Sequence, residues 1–461
     1  MGSMNRDFPV PSLFGPLLHF LEQREGSLRL CGLKGSSPAY VLSRLRPASA
    51  GPWIFLTPDE ERAERIRREL LFYLGPDPEV DLYPGWEVKP FERISPQAEA
   101  AGQRWRVRSR LLSGPARLVV VAPLRAALSR VPPRAAHREQ CLILSPDREY
   151  GRDDLVHRLQ GMGYTRASLV TEVGEFAVRG YLVDLFPPST PGPLRVEFTG
   201  DRVDSVRLFD PESQRSSEAV EEAKVLPVKE VLLFPERFEE AARKFSARTA
   251  GAFPAGKEPS HQPLERMKQG IPFPGLEFYL PDFYPSLETF FDFLPPGAVL
   301  FLDDPAELEE GLARFWEEAE EGWRNACSRD ELWPSPGEIF LRPEEFQEWS
   351  RFFPRLSLST LEVGGEGETF RWETDSNERL RSELLSSKSE DGILRLLAQR
   401  IRSARDKGIA TLLACFTLAL SEAATRLSSL IFSPCNSSTT CPSKSTRMRS
   451  QCSTNSSLSL A

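Results

Sequence analysis

The sequence predicts an α/β protein: a helix-covered parallel sheet, interrupted midway by a β-rich stretch and followed by a third region. Three observations carry this expectation. Up to about residue 140, short apolar runs alternate with amphipathic helical runs, the pattern of strands joined by crossover helices. Residues 171–216 switch to period two, the spacing of half-buried strands. From Leu226 onward the first texture returns.

The 461 residues suffice for roughly two to four domains. A hydrophobic content of 40% and a charged content of 27% are ordinary for a globular protein. A net charge of −8 argues against the whole chain acting as a non-specific nucleic-acid binder. No run approaches the roughly 18 apolar residues of a membrane span, and the N-terminus lacks the basic-then-apolar layout of a signal peptide. Cys31, Cys141 and Cys327 are scattered without CxxC spacing, which predicts a reducing, cytoplasmic location and no metal site.

Taken in order, residues 10–25 predict a helix with Leu13, Leu17, Leu18 and Leu21 on one side. Residues 27–33 predict a strand ending in Gly32-Leu33-Lys34-Gly35-Ser36-Ser37. A phosphate loop would sit here. It needs G-x-x-x-x-G-K-[ST], so that backbone N–H groups cradle phosphates while Lys and a hydroxyl reach the outer phosphate and Mg²⁺. Here Lys34 precedes the second glycine, so the stretch reads as a plain β–α turn. Residues 53–56 read as a buried strand, and 58–74 as a helix with Ala63, Ile66, Leu70 and Leu74 inward and Asp59, Glu60 and Glu61 in its first turn. Residues 80–83 and 118–122 add strands. Between them, Arg104, Arg106, Arg108 and Arg110 surround Trp105. That pattern could touch phosphates and stack a base. The expected reading is a solvated helix face with Trp105 packed inward. Residues 142–144 form another strand. A helix over 153–162 carries His157, read as a surface residue.

In the insert, Leu194, Val196 and Phe198 face one way and Arg195 and Glu197 the other. Thr199-Gly200-Asp201-Arg202 breaks this run before residues 203–209, which predicts a hairpin. Residues 175–186 read as a strand with Gly180 at a bulge or close approach. Parity makes Phe198 core and leaves Arg195 exposed, either as a contact for partner carboxylates or as a surface pair with Glu197 or Asp201. After the insert, 236–247 is helical, and the aromatic runs 273–281 and 287–295 read as core because Leu and Pro, not Arg and Lys, interleave them. Residues 298–305 form an apolar strand ending in Asp303 and Asp304, a Walker-B outline. Asp304, Pro305 and Glu307 also satisfy a capping-box arrangement, the preferred account. A third region is expected from about 346, with a strand near 356–358, a helix over 391–407 and a strand from 409. After Glu422 there is no acidic residue, Ser and Thr crowd the chain, and four of seven cysteines fall in this stretch (Cys415, Cys435, Cys441, Cys452). Such a tail cannot bury enough apolar surface to fold alone, and reads as a frameshift near Leu413.

The run GEFAVRGYLVDLFP, the strand pair after it, and FDPESQRS resemble the module shared by the repair protein UvrB and the bacterial transcription-repair coupling factor (Mfd). The resemblance covers about residues 10–412. It implies a UvrB-like parallel-sheet domain of degenerate P-loop NTPase type in two parts, 1–140 and 227–345. It further implies an inserted UvrA-interaction domain at 141–226, a partial third domain at 346–413, and a disordered or frameshifted tail at 414–461. Arg179 and Arg195, with Phe198, are implied as UvrA-binding residues. Some relatives carry a second aromatic after Phe198, where this chain has Thr199. Lys34, Gly35, Ser36, Asp303 and Asp304 are implied as a decayed nucleotide site. No catalytic residue, metal or cofactor is expected in this chain. ATP and Mg belong to the motor of the full-length family, which also carries the RNA polymerase and DNA contacts. The implied function is an excision-repair adaptor that recruits UvrA to stalled polymerase. The alternative is a UvrB-type, helicase-like ATPase that verifies damage.

Overall fold

Two runs without alternation, Trp53–Thr57 and Val119–Pro123, are buried at every residue. Strands of that kind must be covered on both faces, and they form the middle of a parallel sheet. The computed structural model describes residues 14–409, except 24, 47–50, 76–78, 116, 250–261, 330–331, 362–366, 373 and 388, together with Thr411 and Leu427. The strands in chain order are β1 (Ser27–Cys31), β2 (Trp53–Thr57), β3 (Val80–Leu82), β4 (Val119–Pro123), β5 (Leu142–Leu144), β6 (Thr165–Arg166), β7 (Glu175–Arg179), β8 (Leu182–Leu185), β9 (Leu194–Thr199), β10 (Arg202–Phe209), β11 (Ser216–Ala219), β12 (Ala223–Val225), β13 (Val299–Asp303), β14 (Arg355–Ser359) and β15 (Glu368–Arg371).

The main sheet has the order β15-β1-β14-β13-β2-β4-β3 with every pairing parallel. Alternate residues divide its two cores. Trp53, Phe55, Val119, Val121, Val299 and Phe301 pack on one face with Leu42, Ile66 and Leu70 from the helices Ser37–Leu45 and Glu60–Leu74. Ile54, Leu56, Val120, Ala122 and Leu300 pack on the other with Trp105, Phe238 and Leu312 from the helices Ala98–Leu112, Pro235–Thr249 and Pro305–Ser328. The aromatics Phe278, Tyr279, Phe290, Phe291 and Phe293 lie buried in this second core, as their Leu/Pro context predicts.

The insert is a six-stranded sheet, β11-β10-β9-β8-β7-β6, antiparallel apart from the β6–β7 pair. Phe176, Val183, Leu185, Leu194, Val196, Phe198, Val203 and Val206 form its inner face, against Leu155, Leu159 and Met162 around the helix Arg152–Gly161. Val203 and Val206 share that face because the β9–β10 register shifts between Val203 and Ser205. The insert seats closely on the main part of the unit. A Cβ at Gly102, in the helix Ala98–Leu112, would lie 2.7 Å from the Pro188 side chain. Only a glycine admits that approach.

Three local expectations change. Gly180 is not a bulge. Arg179 pairs with Leu182, so Gly180-Tyr181 is a two-residue hairpin turn, and Gly180 takes the positive φ of +62° that such a turn requires. Asp59 is the N-cap rather than a first-turn residue, its carboxylate accepting from the Arg62 amide at 2.8 Å. The strand near 356–358 does not open a third region. It is β14, hydrogen-bonded between β1 and β13, because its apolar Leu356 and Leu358 have the sheet core to fill.

The chain divides into two compact units, residues 1–373 and 374–461. In the second, the helices Glu378–Leu385 and Glu390–Asp406 are tied by Arg400 to Glu383 at 2.7 Å, and Leu394, Ala398, Ile401 and Leu427 cluster. The expected strand from 409 and the tail at 414–461 lie outside the described residues, apart from Ile409, Thr411 and Leu427. No described helix is long and apolar enough to cross a membrane.

Candidate functional site

The outer face of the insert sheet carries the two arginines singled out in the sequence. Antiparallel register sets one row across it: Ala177, Asp184, Arg195 and Arg207 stand opposite one another on β7, β8, β9 and β10. Arg179 shares the face, in the next row with Leu182, Glu197 and Ser205. Strand spacing places the Arg179 and Arg195 backbones about 12 Å apart.

Arg195 faces outward, as parity requires, but it is not a free exposed cation. Its Nε and Nη2 donate to both Asp184 oxygens at 2.8 and 2.9 Å. Its Nη1 donates to the Gln214 carbonyl at 3.2 Å and to Ser216 Oγ at 3.3 Å. The guanidinium lies 4.9 Å from the Phe209 ring centre. The side chain is 14% exposed and that of Asp184 only 2%. The Asp184 hydrogen bonds raise the Arg195 pKa, while partial burial opposes them. The partner is therefore Asp184, not Glu197 or Asp201. A buried aspartate needs a close counter-charge more than a rim carboxylate does. Arg179 is exposed and donates one hydrogen bond, from Nη2 to the Ser168 carbonyl at 2.9 Å. Phe198 is 5% exposed and belongs to the insert core. Its edge lines an open cleft of about 450 Å³ with Tyr181 and Gly200. Tyr181, at the turn tip, is 64% exposed.

The loop after β1 and the two acids at the end of β13 come close to one another in the fold. Leu33 N–H donates to the Ser359 carbonyl and Asp304 N–H to the Leu358 carbonyl, so the loop after β1 and the acids ending β13 flank β14 at one edge of the sheet. Arg62 grips Asp303 through Nε at 2.5 Å and Nη2 at 2.9 Å. That carboxylate is 2% exposed, and burial pushes its pKa up despite Arg62. Asp304 caps the helix Pro305–Ser328, accepting from Glu307 N–H at 3.4 Å with a positive φ of 53°. Lys34 and Gly35 are exposed, and Ser36 Oγ contacts the Tyr73 hydroxyl at 3.1 Å. Among the described residues no cluster of His, Cys, Asp and Glu has a metal-binding arrangement.

The arginine-rich helix bears out the inward Trp105 but corrects the solvated face for two of its four arginines. Trp105 does pack inward, at 0% exposure, but Arg104 and Arg108 go with it, also at 0%. Both bind the buried Glu230: Arg104 Nε at 2.7 Å, Arg108 Nη1 and Nη2 at 3.1 and 2.8 Å. Burial would raise the Glu230 pKa, yet Arg108 and Arg104 together hold it below the usual carboxylate range. Arg108 Nε also donates to His137 Nε2 at 3.1 Å, and burial beside Arg108 keeps that imidazole neutral. Arg106 and Arg110 bind Asp81. Arg104 and Arg108 thus belong to an internal charge network, while Arg106 and Arg110 are half-buried and paired with Asp81 at its rim.

The residues missed in the sequence are three charge partners, Asp184, Arg62 and Glu230, and the exposed Arg207. Two had a signal. Asp184 within LVDLF and Glu230 within VKEVLLF are acids inside apolar runs, and a charge buried there must meet its opposite.

Residues 142–231 match the family described as the UvrB interaction domain. The transcription-repair-coupling factor of Myxococcus xanthus is 34% identical over 421 residues, 88% of this chain and 35% of that protein. That of Escherichia coli (strain K12) is 30% identical over 350 residues, 74% of this chain and 29% of the relative. That of Bacillus subtilis (strain 168) is 30% identical over 303 residues, 63% and 25% respectively. The chain thus spans between a quarter and about a third of the length of these relatives. Through most of its length it matches the bacterial transcription-repair-coupling factors, and it carries a UvrB interaction domain at residues 142–231.

Proposed function

We propose that this chain is the adaptor part of a transcription-repair coupling system. Its insert binds UvrA and so recruits excision repair to RNA polymerase stalled at a DNA lesion. The observation that carries the reading is the UvrB interaction domain at 142–231, set within a chain that matches the transcription-repair-coupling factor of Myxococcus xanthus over 421 residues. In this reading the segments 1–140 and 227–345, with β14 and β15, are the UvrB-like support. The exposed Arg179 is a contact residue, and a few such residues dominate the affinity. RNA polymerase, DNA and ATP-driven translocation belong to other parts of the full-length relatives. This chain turns over no ATP, because Lys34 is displaced from the phosphate-loop position and Arg62 occupies the acid that would hold Mg²⁺.

The test is binding of the full chain to immobilised UvrA, beside an ATPase assay with DNA. Saturable binding, weakened about tenfold by Arg179→Ala, and no ATP turnover are expected. A folded chain that does not bind UvrA would sink the reading. DNA-stimulated turnover would favour the UvrB-type ATPase instead.

A further inference from the structure

Arg195 makes four hydrogen bonds, all within its own domain. Two go to Asp184, and the other two hold the turn after β10. That turn is closed by Gln214 N–H to the Asp210 carbonyl at 2.8 Å and Asp210 N–H to the Arg215 carbonyl at 3.0 Å. It carries Gln214 at a positive φ of 58°, a conformation that needs outside support in a non-glycine residue. The Gln214 carbonyl receives that support from Arg195 Nη1.

Directly across the β9–β10 pair from Arg195 stands Arg207. Like charges placed so are unfavourable, but Asp184, on the other side of Arg195, neutralises one of them. Arg207 is exposed, and among the described residues its side chain has no hydrogen-bond or ion-pair partner. It shares the outer face with Arg179, three strands away, at about 16 Å from strand spacing. The nearest acid in the adjoining row, Glu197, is half-buried and accepts a hydrogen bond from Ser205.

We propose that Arg207 and Arg179 are the cations that meet the partner, and that Arg195 is a positioning residue. Resting on the UvrA reading above, this assigns the partner an acidic protein surface. Arg195 orders the Asp210–Ser216 turn beside Arg207 and removes its own charge from competition. A nucleic-acid strand fits this face less well, since two separated arginines among Asp204, Glu212 and Glu218 make no continuous basic track.

The test compares UvrA binding by the full-length wild type, Arg207→Ala, Arg207→Glu, Arg195→Ala and Arg195→Lys, with hydrogen exchange at the Asp210 and Gln214 amides. Arg207→Ala is expected to weaken binding about tenfold and Arg207→Glu further, with exchange at both amides unchanged. Arg195→Ala and Arg195→Lys are expected to speed exchange at those amides, with binding falling alongside. Wild-type affinity in Arg207→Ala, together with lost binding but unchanged exchange in Arg195→Ala, overturns the proposal while leaving the UvrA reading intact. Failure of the wild type itself to bind UvrA removes that reading and this one with it. Arg207-dependent binding of DNA without UvrA binding overturns it in favour of nucleic acid.

Discussion

Glu230→Gln is the sharpest perturbation of this fold. The carboxylate is fully buried and accepts three charge-assisted hydrogen bonds, from Arg104 Nε, Arg108 Nη1 and Arg108 Nη2. The amide is nearly isosteric, so packing is conserved while the negative charge is lost. Two guanidiniums are then left in the core. The Tyr83 ring 4.5 Å from Arg104, the Pro84 carbonyl, the Tyr83 hydroxyl and neutral His137 solvate them only in part. Removing one partner of a buried charge network costs about 3–5 kcal/mol. Glu230 lies at the end of the matched domain and Trp105 Nε1 bonds the adjacent Lys229 carbonyl, so the damage falls where the insert rejoins the main sheet. Urea unfolding followed by tryptophan fluorescence measures it as a drop in transition midpoint at constant slope. A loss below about 1 kcal/mol would refute the reasoning, since it would mean water or another anion already serves the two arginines. Replacing Arg104, Arg108 and Glu230 together by Met and Leu should recover most of the loss, because apolar residues of similar volume carry no desolvation penalty.

Arg62→Ala should cost about 1–3 kcal/mol by leaving the buried Asp303 without its counter-charge. Adding Mg-ATP should move the melting temperature of neither protein, and a rise confined to the variant would show that Arg62 alone closes the site. Asp282 is held up at about 6 by burial, against the pull of Arg248. Its folded pKa exceeds the unfolded value of about 3.9, so the folded state keeps its proton longer and this group's contribution falls as pH rises from about 4 to above 6. Across that window the stability of wild type relative to Asp282→Asn should fall by about 3 kcal/mol. Paired denaturant titrations at pH 4 and pH 7 check this, and a difference that grows with pH would reverse the sign.

Amino-acid order alone determined the layered plan. Continuous apolar runs such as Trp53–Thr57 admit only a sheet covered on both faces, and the alternation of Leu194, Val196 and Phe198 admits only a half-buried strand. The hairpin at Gly200-Asp201 was legible for the same reason: local sterics and period-two burial act within a few residues. The destination of each charge was not. Arg62 meets Asp303 across 241 positions, Arg104 meets Glu230 across 126, and Arg195 meets Asp184 across a strand pair whose register no single strand specifies. Tertiary packing made those choices, because a buried charge must find its counter-ion wherever in the chain it lies. The same packing decides which arginines stay exposed, such as Arg179 and Arg207.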